Sequence, residues 1–292
     1  MSKIIHSEKR GRRGWIRALP FLFLCHVSPA PADEIPHVSA EARESYASGY
    51  RHAGPHKAFA IAPGGGWSWR ADHPDARSAA DAAIAACGEH TPQTCLLFDL
   101  DGQRVLDTER WPTLWRPYPT PEQAATRNIG TARGERFPDL AFRDSRGRPM
   151  SLADFRGKVV LLHFWGSWCP PCMGEFPSLL QLQDELKSVP GEPVSMVLLQ
   201  TREPFSDSLR WARRNEFGAL PLYDSGVKDD EQSDLTTSDG QRIADRMLSP
   251  RFPTSYILDR NGVILFRHKG PIDDWSEYLP FFRDVVENSA TP

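Results

Sequence analysis

No run of 18 apolar residues occurs anywhere in the 292-residue sequence, so a polytopic membrane protein is excluded. Basic residues do not exceed acidic ones either: 35 Lys and Arg stand against 38 Asp and Glu, for a net charge of −3. Without a cationic excess there is little to neutralise a phosphate backbone, and no nucleic-acid partner is expected. Cysteine is sparse, five residues in all, too few for a disulfide-stapled scaffold of this length. The glycine run Gly64-Gly65-Gly66 is not followed by Gly-Lys-Ser/Thr, so it is read as a turn and not as a phosphate loop. What remains is ordinary globular composition, 40% hydrophobic and 25% charged, with enough apolar material for a core.

Residues 1–17 carry six basic side chains and one acid, Glu8. A short apolar stretch, Ala18 to Leu24, and the small-residue site Ala30-Pro31-Ala32 follow. This is the order of a secretory signal, and 1–32 are expected to be a signal peptide cleaved after Ala32. Arg12-Arg13-Gly14-Trp15-Ile16-Arg17 resembles a twin-arginine export signal, with Gly11 where Ser or Thr is usual. Cys25 follows Leu24 rather than a small residue, so a lipid anchor is not expected. The cysteines that remain form two close pairs, Cys87/Cys95 and Cys169/Cys172, as an oxidising compartment would use.

Residues 33–56 are polar and aperiodic and are read as a loose lead-in. Over 57–109 a small α+β accessory domain is expected. Strands at Lys57–Ala62 and Trp67–Arg70 flank the glycine turn, and an alanine-dense helix follows from an Asp75 N-cap to Cys87. A hairpin then turns at Asp101-Gly102. Cys87 ends the helix and Cys95 opens the next strand, so a structural disulfide between them is expected to tie helix to sheet. Residues 110–134, with Pro112, Pro117, Pro119 and Pro121, are read as a Pro-rich linker.

The chemistry is expected in 135–292. The apolar run Lys158–Trp165 reads as a buried parallel strand, broken by Gly166-Ser167. Trp168-Cys169-Pro170-Pro171-Cys172 and a helical pattern through Leu186 follow. A helix N-terminus stabilises a thiolate through its free N–H groups and dipole, and proline is tolerated in a first turn. Cys169 is therefore expected exposed at the helix mouth as the attacking thiol, with Cys172 one turn in and buried. C-x-x-C is also half a zinc site, but no second Cys/His pair has zinc-ligand spacing, and no metal site is expected.

With these residues, the chain resembles the thioredoxin superfamily and, within it, the TlpA/ResA-like exported thiol:disulfide oxidoreductases. The resemblance is carried by Gly157-Lys158, Phe164-Trp165-Gly166-Ser167-Trp168-Cys169-Pro170-Pro171-Cys172, Glu175 and Pro177. Later matches are Phe252-Pro253-Thr254 and Tyr256-Ile257-Leu258-Asp259-Arg260-Asn261-Gly262. It covers about half the chain and implies an α/β, thioredoxin-like fold: a central mixed sheet flanked by helices, preceded by the small α+β domain. It further implies that Pro253 is a cis-proline facing the cysteine pair and that Trp168, Phe252 and Thr254 line the substrate site. Glu175, beside the thiols, would tune them. His163 departs from the family's buried aspartate; it is read as a satisfied core residue, with proton transfer from Cys172 as the rival role.

A further strand at 193–199 and a helix at Ser206–Arg214 are expected, then a polar insertion between Asp224 and Met247. The insertion is read as a solvated loop, with a partner-selecting lid as the sharper alternative. The expectation is thus a periplasmic protein-disulfide reductase needing no bound cofactor. Its partners would be client protein disulfides of the cytochrome c or copper-site maturation type and a membrane thiol electron donor. The alternatives are an oxidant or isomerase of the same fold and a Cu(I)-handling protein using the two thiolates.

Overall fold

The computed structural model describes residues 35–190, 194–231 and 233–289; the expected signal peptide lies outside them. Helix α1 (Ala40–Glu44) opens the described chain, with Ser39 as its N-cap. Strands β1 (Ala58–Ile61) and β2 (Trp67–Arg70), helix α2 (Ala76–Gly88), and strands β3 (Leu96–Leu100) and β4 (Gln103–Arg104) follow. They build an antiparallel sheet of order β2-β1-β3-β4, with α2 across it. The Asp75 carboxylate accepts the Ser78 N–H, the N-cap read from the sequence. The alanine face of α2 fits a close approach, and Ala58, Ala60, Ala79 and Ala83 bury one another. Cys87 is bonded to Cys95 at one end of this layer.

The second sheet is built from β5 (Ala141–Arg143), β6 (Pro149–Ser151), β7 (Val159–Trp165), β8 (Val194–Gln200) and β9 (Leu222–Asp224), with β12 (Thr254–Leu258) and β13 (Ile264–Lys269). Its order is β13-β12-β7-β8-β9-β5-β6. β7 lies between parallel β8 and antiparallel β12 and all seven of its side chains are buried, which is why it reads as a run apolar but for His163. Helices α4 (Pro170–Gly174), α5 (Phe176–Leu186), α6 (Phe205–Arg214) and α8 (Leu279–Asn288) accompany this sheet. Trp165 of β7 stands 4.5 Å from Phe176 of α5 and 5.7 Å from Trp211 of α6, ring centroid to ring centroid. The expected mixed sheet flanked by helices is present.

Three sequence readings are corrected. Residues 35–56 are packed rather than loose: Ile35, Val38, Ala42 and Tyr50 are buried, and His37 stacks on Tyr278 with ring centroids 4.1 Å apart. Residues 110–134 are not a linker. Trp111, Leu114 and Trp115 are buried, the Trp115 ring lies 4.8 Å from Phe281 of α8, and Arg116 Nε donates to Asp284 at 2.9 Å. A short helix, α3 (Pro121–Ala125), follows with a Thr120 capping box. Of the prolines that suggested a linker, Pro112 sits in the turn between the two buried tryptophans and Pro121 opens α3. The chain then runs along the outer edge of β13, where Gly134 N–H donates to Ile264 O and Ile264 N–H to Glu135 O, both at 2.8 Å. Phe59, Phe98, Trp115, Phe164 and Phe281 all belong to one buried cluster, so the two sheets share a core.

The third correction concerns 224–247. The segment carries a hairpin of β10 (Asp234–Thr236) and β11 (Arg242–Ala244) and leads directly into helix α7 (Asp245–Leu248). It is not a plain solvated loop, because Asp245 is fully buried and Arg202 donates to both of its oxygens, at 2.5 and 2.7 Å.

Candidate functional site

The site begins where β7 leaves the sheet. Gly166 is required there: a Cβ would fall 2.2 Å from Trp168 Nε1, because the indole folds back over it. That indole N–H donates to Thr201 O at 2.9 Å, which fixes the ring beside the thiols. Ser167 is held from the other side, its N–H donating to a Glu203 carboxylate oxygen at 2.6 Å. Cys169 is the N-cap of α4, with Pro170 in the first turn, and its sulfur accepts the Cys172 N–H at 3.3 Å. Cys169 and Cys172 are bonded to each other, with their Cα atoms 5.3 Å apart.

Cys172 is fully buried, as its place one turn into the helix implies. Cys169 differs from the sequence reading: it is only 4% exposed, not an open thiol. It lies on a cleft of about 410 Å3 whose walls include Trp168, Pro171 and Phe252. The Trp168 and Phe252 rings meet edge to face, 5.1 Å apart.

The Phe252–Pro253 peptide is cis, and the backbone N–H and C=O of Phe252 make no hydrogen bond among the described residues. Pro253 O instead accepts the Gly270 N–H at 2.8 Å. Thr254 is buried, and its hydroxyl donates to Arg251 O, closing the turn on its far side. The cleft thus brings Cys169, Trp168 and Phe252 together, with Pro253 and Thr254 behind them.

A buried polar pair involves the residue whose backbone N–H donates to Cys172 O, Glu175. Glu175 is 2% exposed, and one oxygen, Oε1, accepts the Ile272 N–H at 2.8 Å and the Trp275 indole N–H at 3.0 Å. Its other oxygen, Oε2, has no hydrogen bond and faces His163 Nε2 at 3.7 Å, which has none either. His163 Nδ1 meets the Ser255 hydroxyl at 2.9 Å. Burial pushes the Glu175 carboxyl up to about 8 against the pull of its two donors, and pushes the fully buried His163 imidazole down to about 3. Both groups are therefore neutral at pH 7. The rival roles read for Glu175 and His163 become one pair, contributed by α5's N-terminal junction and β7.

Sequence reasoning missed Ser255, Ile272 and Trp275, which support this pair from β12 and the segment after β13. No spacing signals them, since they meet Glu175 and His163 only through the fold. It also missed Arg202 and its buried partner Asp245, which meet only through the fold. A larger cleft of about 830 Å3 opens between β2 and β13, and neither cysteine pair reaches it. Among the described residues no group of three or more His, Cys, Asp or Glu side chains converges as a metal site. No helix among them is long and apolar enough to cross a membrane.

Comparison with known proteins places this geometry in a family. Residues 132–279 match the Redoxin family. Over 158 residues the chain is 30% identical to the thioredoxin-like protein YneN of Bacillus subtilis, covering 54% of this chain and 82% of that protein. Over 140 residues it is 30% identical to the thiol-disulfide oxidoreductase ResA of Geobacillus thermodenitrificans, covering 48% and 70% respectively. A solved thiol:disulfide interchange protein of the thioredoxin family from Chlorobium tepidum superimposes with a TM-score of 0.38 at 20% identity, over 53% of this chain and 98% of that one. The chain belongs to the redoxin family, with a thioredoxin-like fold, and is a thiol-disulfide oxidoreductase of the TlpA/ResA type.

Proposed function

We propose that the chain is a periplasmic protein-disulfide reductase working through Cys169 and Cys172. The observation that carries this reading is the cysteine pair at a helix N-terminus, on a cleft shared with Phe252, whose backbone N–H and C=O make no hydrogen bond among the described residues. A client strand can pair with that backbone and bring its own disulfide to Cys169. The Cys169 thiolate attacks one client sulfur, the client S–S bond breaks, and the departing client thiolate takes up a proton. Cys172, after losing its proton, attacks the Cys169 sulfur in the mixed disulfide and releases the second client thiolate. Two electrons have then passed to the client, and Cys169 and Cys172 are bonded.

A dithiol donor must return those electrons, because an oxidising compartment does not supply them. The basic, apolar and small-residue order of 1–32 supports export, and a membrane thiol carrier is the donor that fits. In that step Cys172 leaves as a thiolate. Glu175, three residues on and carrying its proton at neutral pH, is placed in sequence to protonate it; once ionised, it serves as the acceptor in the forward step. Clients of the cytochrome c or copper-site maturation type suit a reductase in this compartment.

The experiment is trapping with Cys172→Ser in the exported protein, followed by identification of the captured partner. Mixed disulfides through Cys169 to periplasmic cysteine proteins are expected. Capture through Cys172 in the Cys169→Ser variant alone, or no disulfide reduction by the reduced wild type, overturns the assignment.

A further inference from the structure

The cleft over Cys169 has a charge pattern that disulfide exchange does not itself require. Arg246 and Arg251 stand in its lining, and no carboxylate does, although the whole chain is acidic by three charges. The acids on neighbouring elements are engaged elsewhere. Asp245 and Asp230 both hold Arg202, and Glu203 receives the Ser167 N–H and the Ser208 hydroxyl. Arg246 lies over the Phe252 ring at 5.3 Å. Both arginines are exposed, and neither forms an ion pair among the described residues. Trp168, on the same cleft, is 42% exposed.

Arg246 does not stand there by chance of a mobile loop. It is the second residue of α7, and the first, Asp245, is locked to Arg202. Arg202 itself also lies over the Phe252 ring, at 5.3 Å. The insertion between β9 and β12 is thereby pinned to the cis-proline turn, and it sets a cation in the lining of the cleft that Cys169 shares.

We propose that this cleft selects client segments that carry Asp or Glu beside the reactive cystine, with Arg246 and Arg251 as the selecting cations and Trp168 and Phe252 as the apolar contact. The inference rests on the reductase reading above and adds its substrate class. A guanidinium offers a planar fork of donors that a carboxylate can take bidentately. At an exposed rim the effect falls mainly on encounter rate and discrimination, and it is screened by salt. A client with Lys at the same place meets like charge and is rejected.

The test uses the full exported protein, reduced, and synthetic peptides with one internal disulfide that differ only in Glu, Gln or Lys beside one cysteine. The value of kcat/KM is expected to fall in the order Glu, Gln, Lys, with Glu ahead of Lys by about tenfold at low salt and the ratio shrinking at high salt. The double variant R246E/R251E should reverse the order. Equal rates on all three peptides at low salt overturn the selectivity and leave the reductase reading standing. Reduction of none of them overturns both. The wild-type ranking alone decides the matter if the double variant fails to fold.

Discussion

His163 Nε2 and Glu175 Oε2 face each other at 3.7 Å in the core, each without a hydrogen bond. Burial drives both toward their neutral forms, the acid by raising its pKa to about 8 and the base by lowering its pKa to about 3. An unpaired ion at either position would be costly, so the pair sets how stability and reactivity depend on pH.

The stability consequence has a definite sign. Glu175 has a folded pKa raised from 4.5 to about 8, so its contribution is full below 4.5 and is lost as pH rises toward 8. His163 has a folded pKa lowered from 6.5 to about 3, so its contribution is full above 6.5 and is lost as pH falls toward 3. Together they favour a maximum between 4.5 and 6.5. Urea midpoints of the oxidised protein across this range should show it. In Glu175→Gln the alkaline loss attributable to this site should vanish, so the variant gains on the wild type as pH rises from 4.5 to 8. Parallel curves for the two proteins would assign the alkaline behaviour elsewhere.

The same titration should mark the rate profile. Glu175→Gln keeps the acceptor for Ile272 and Trp275 but removes the proton, so the inflection near pH 8 should disappear from disulfide exchange. Above that pH the variant should also show a lower apparent Cys169 pKa, because no second negative charge builds up beside the thiols. His163→Asn should chiefly lower stability. Thiolate absorbance against pH, read on both variants, separates the roles; a large shift confined to His163→Asn would give proton handling to the imidazole.

Arg202→Met should be among the most destabilising single changes in the catalytic half. It leaves Asp245, which is fully buried, without its cation, and loss of one partner from a buried pair costs about 3 kcal/mol. Asp245→Asn, which keeps the acceptor oxygen, should cost less. The two denaturation midpoints, compared with disulfide reductase rates, check whether α7 loosens before the fold does.

The link between Cys87 and Cys95 should stay intact while Cys169 and Cys172 cycle. Cys87, on the inner face of α2, is fully buried, and neither cysteine lines the thiol cleft. Non-reducing peptide mapping of the working enzyme should recover the 87–95 peptide throughout turnover. Free thiols at both positions would remove its structural role.

Much of the fold was legible because its signals are local. The apolar run of β7, the Asp75 cap, the Asp101-Gly102 turn and the strand-Trp-Cys-Pro-Pro-Cys-helix sequence each act within a few residues. What failed was inference about chain that has little periodicity of its own. Trp111 and Trp115 are buried by Phe281 and its neighbours, some 165 residues later, and proline content alone said linker. The burial of Asp245 is not legible locally, because Arg202, its partner, lies 43 residues earlier. Cys169 is buried although it caps its helix, a degree of burial that the helix position by itself does not fix.

The segment laid along β13 has a consequence for how molecules meet. An open sheet offers rows of unpaired N–H and C=O groups at both ends, a template on which a second copy can add strands. Here residues 134–136 occupy the hydrogen-bonding groups of Ile264, and the Gln93 side chain reaches Arg267 O. At the other end β6 is only three residues long and begins with Pro149, which cannot donate. The two borders of the sheet are thereby closed to runaway edge-to-edge polymerisation, and a chain shortened to start after Arg136 would reopen one of them.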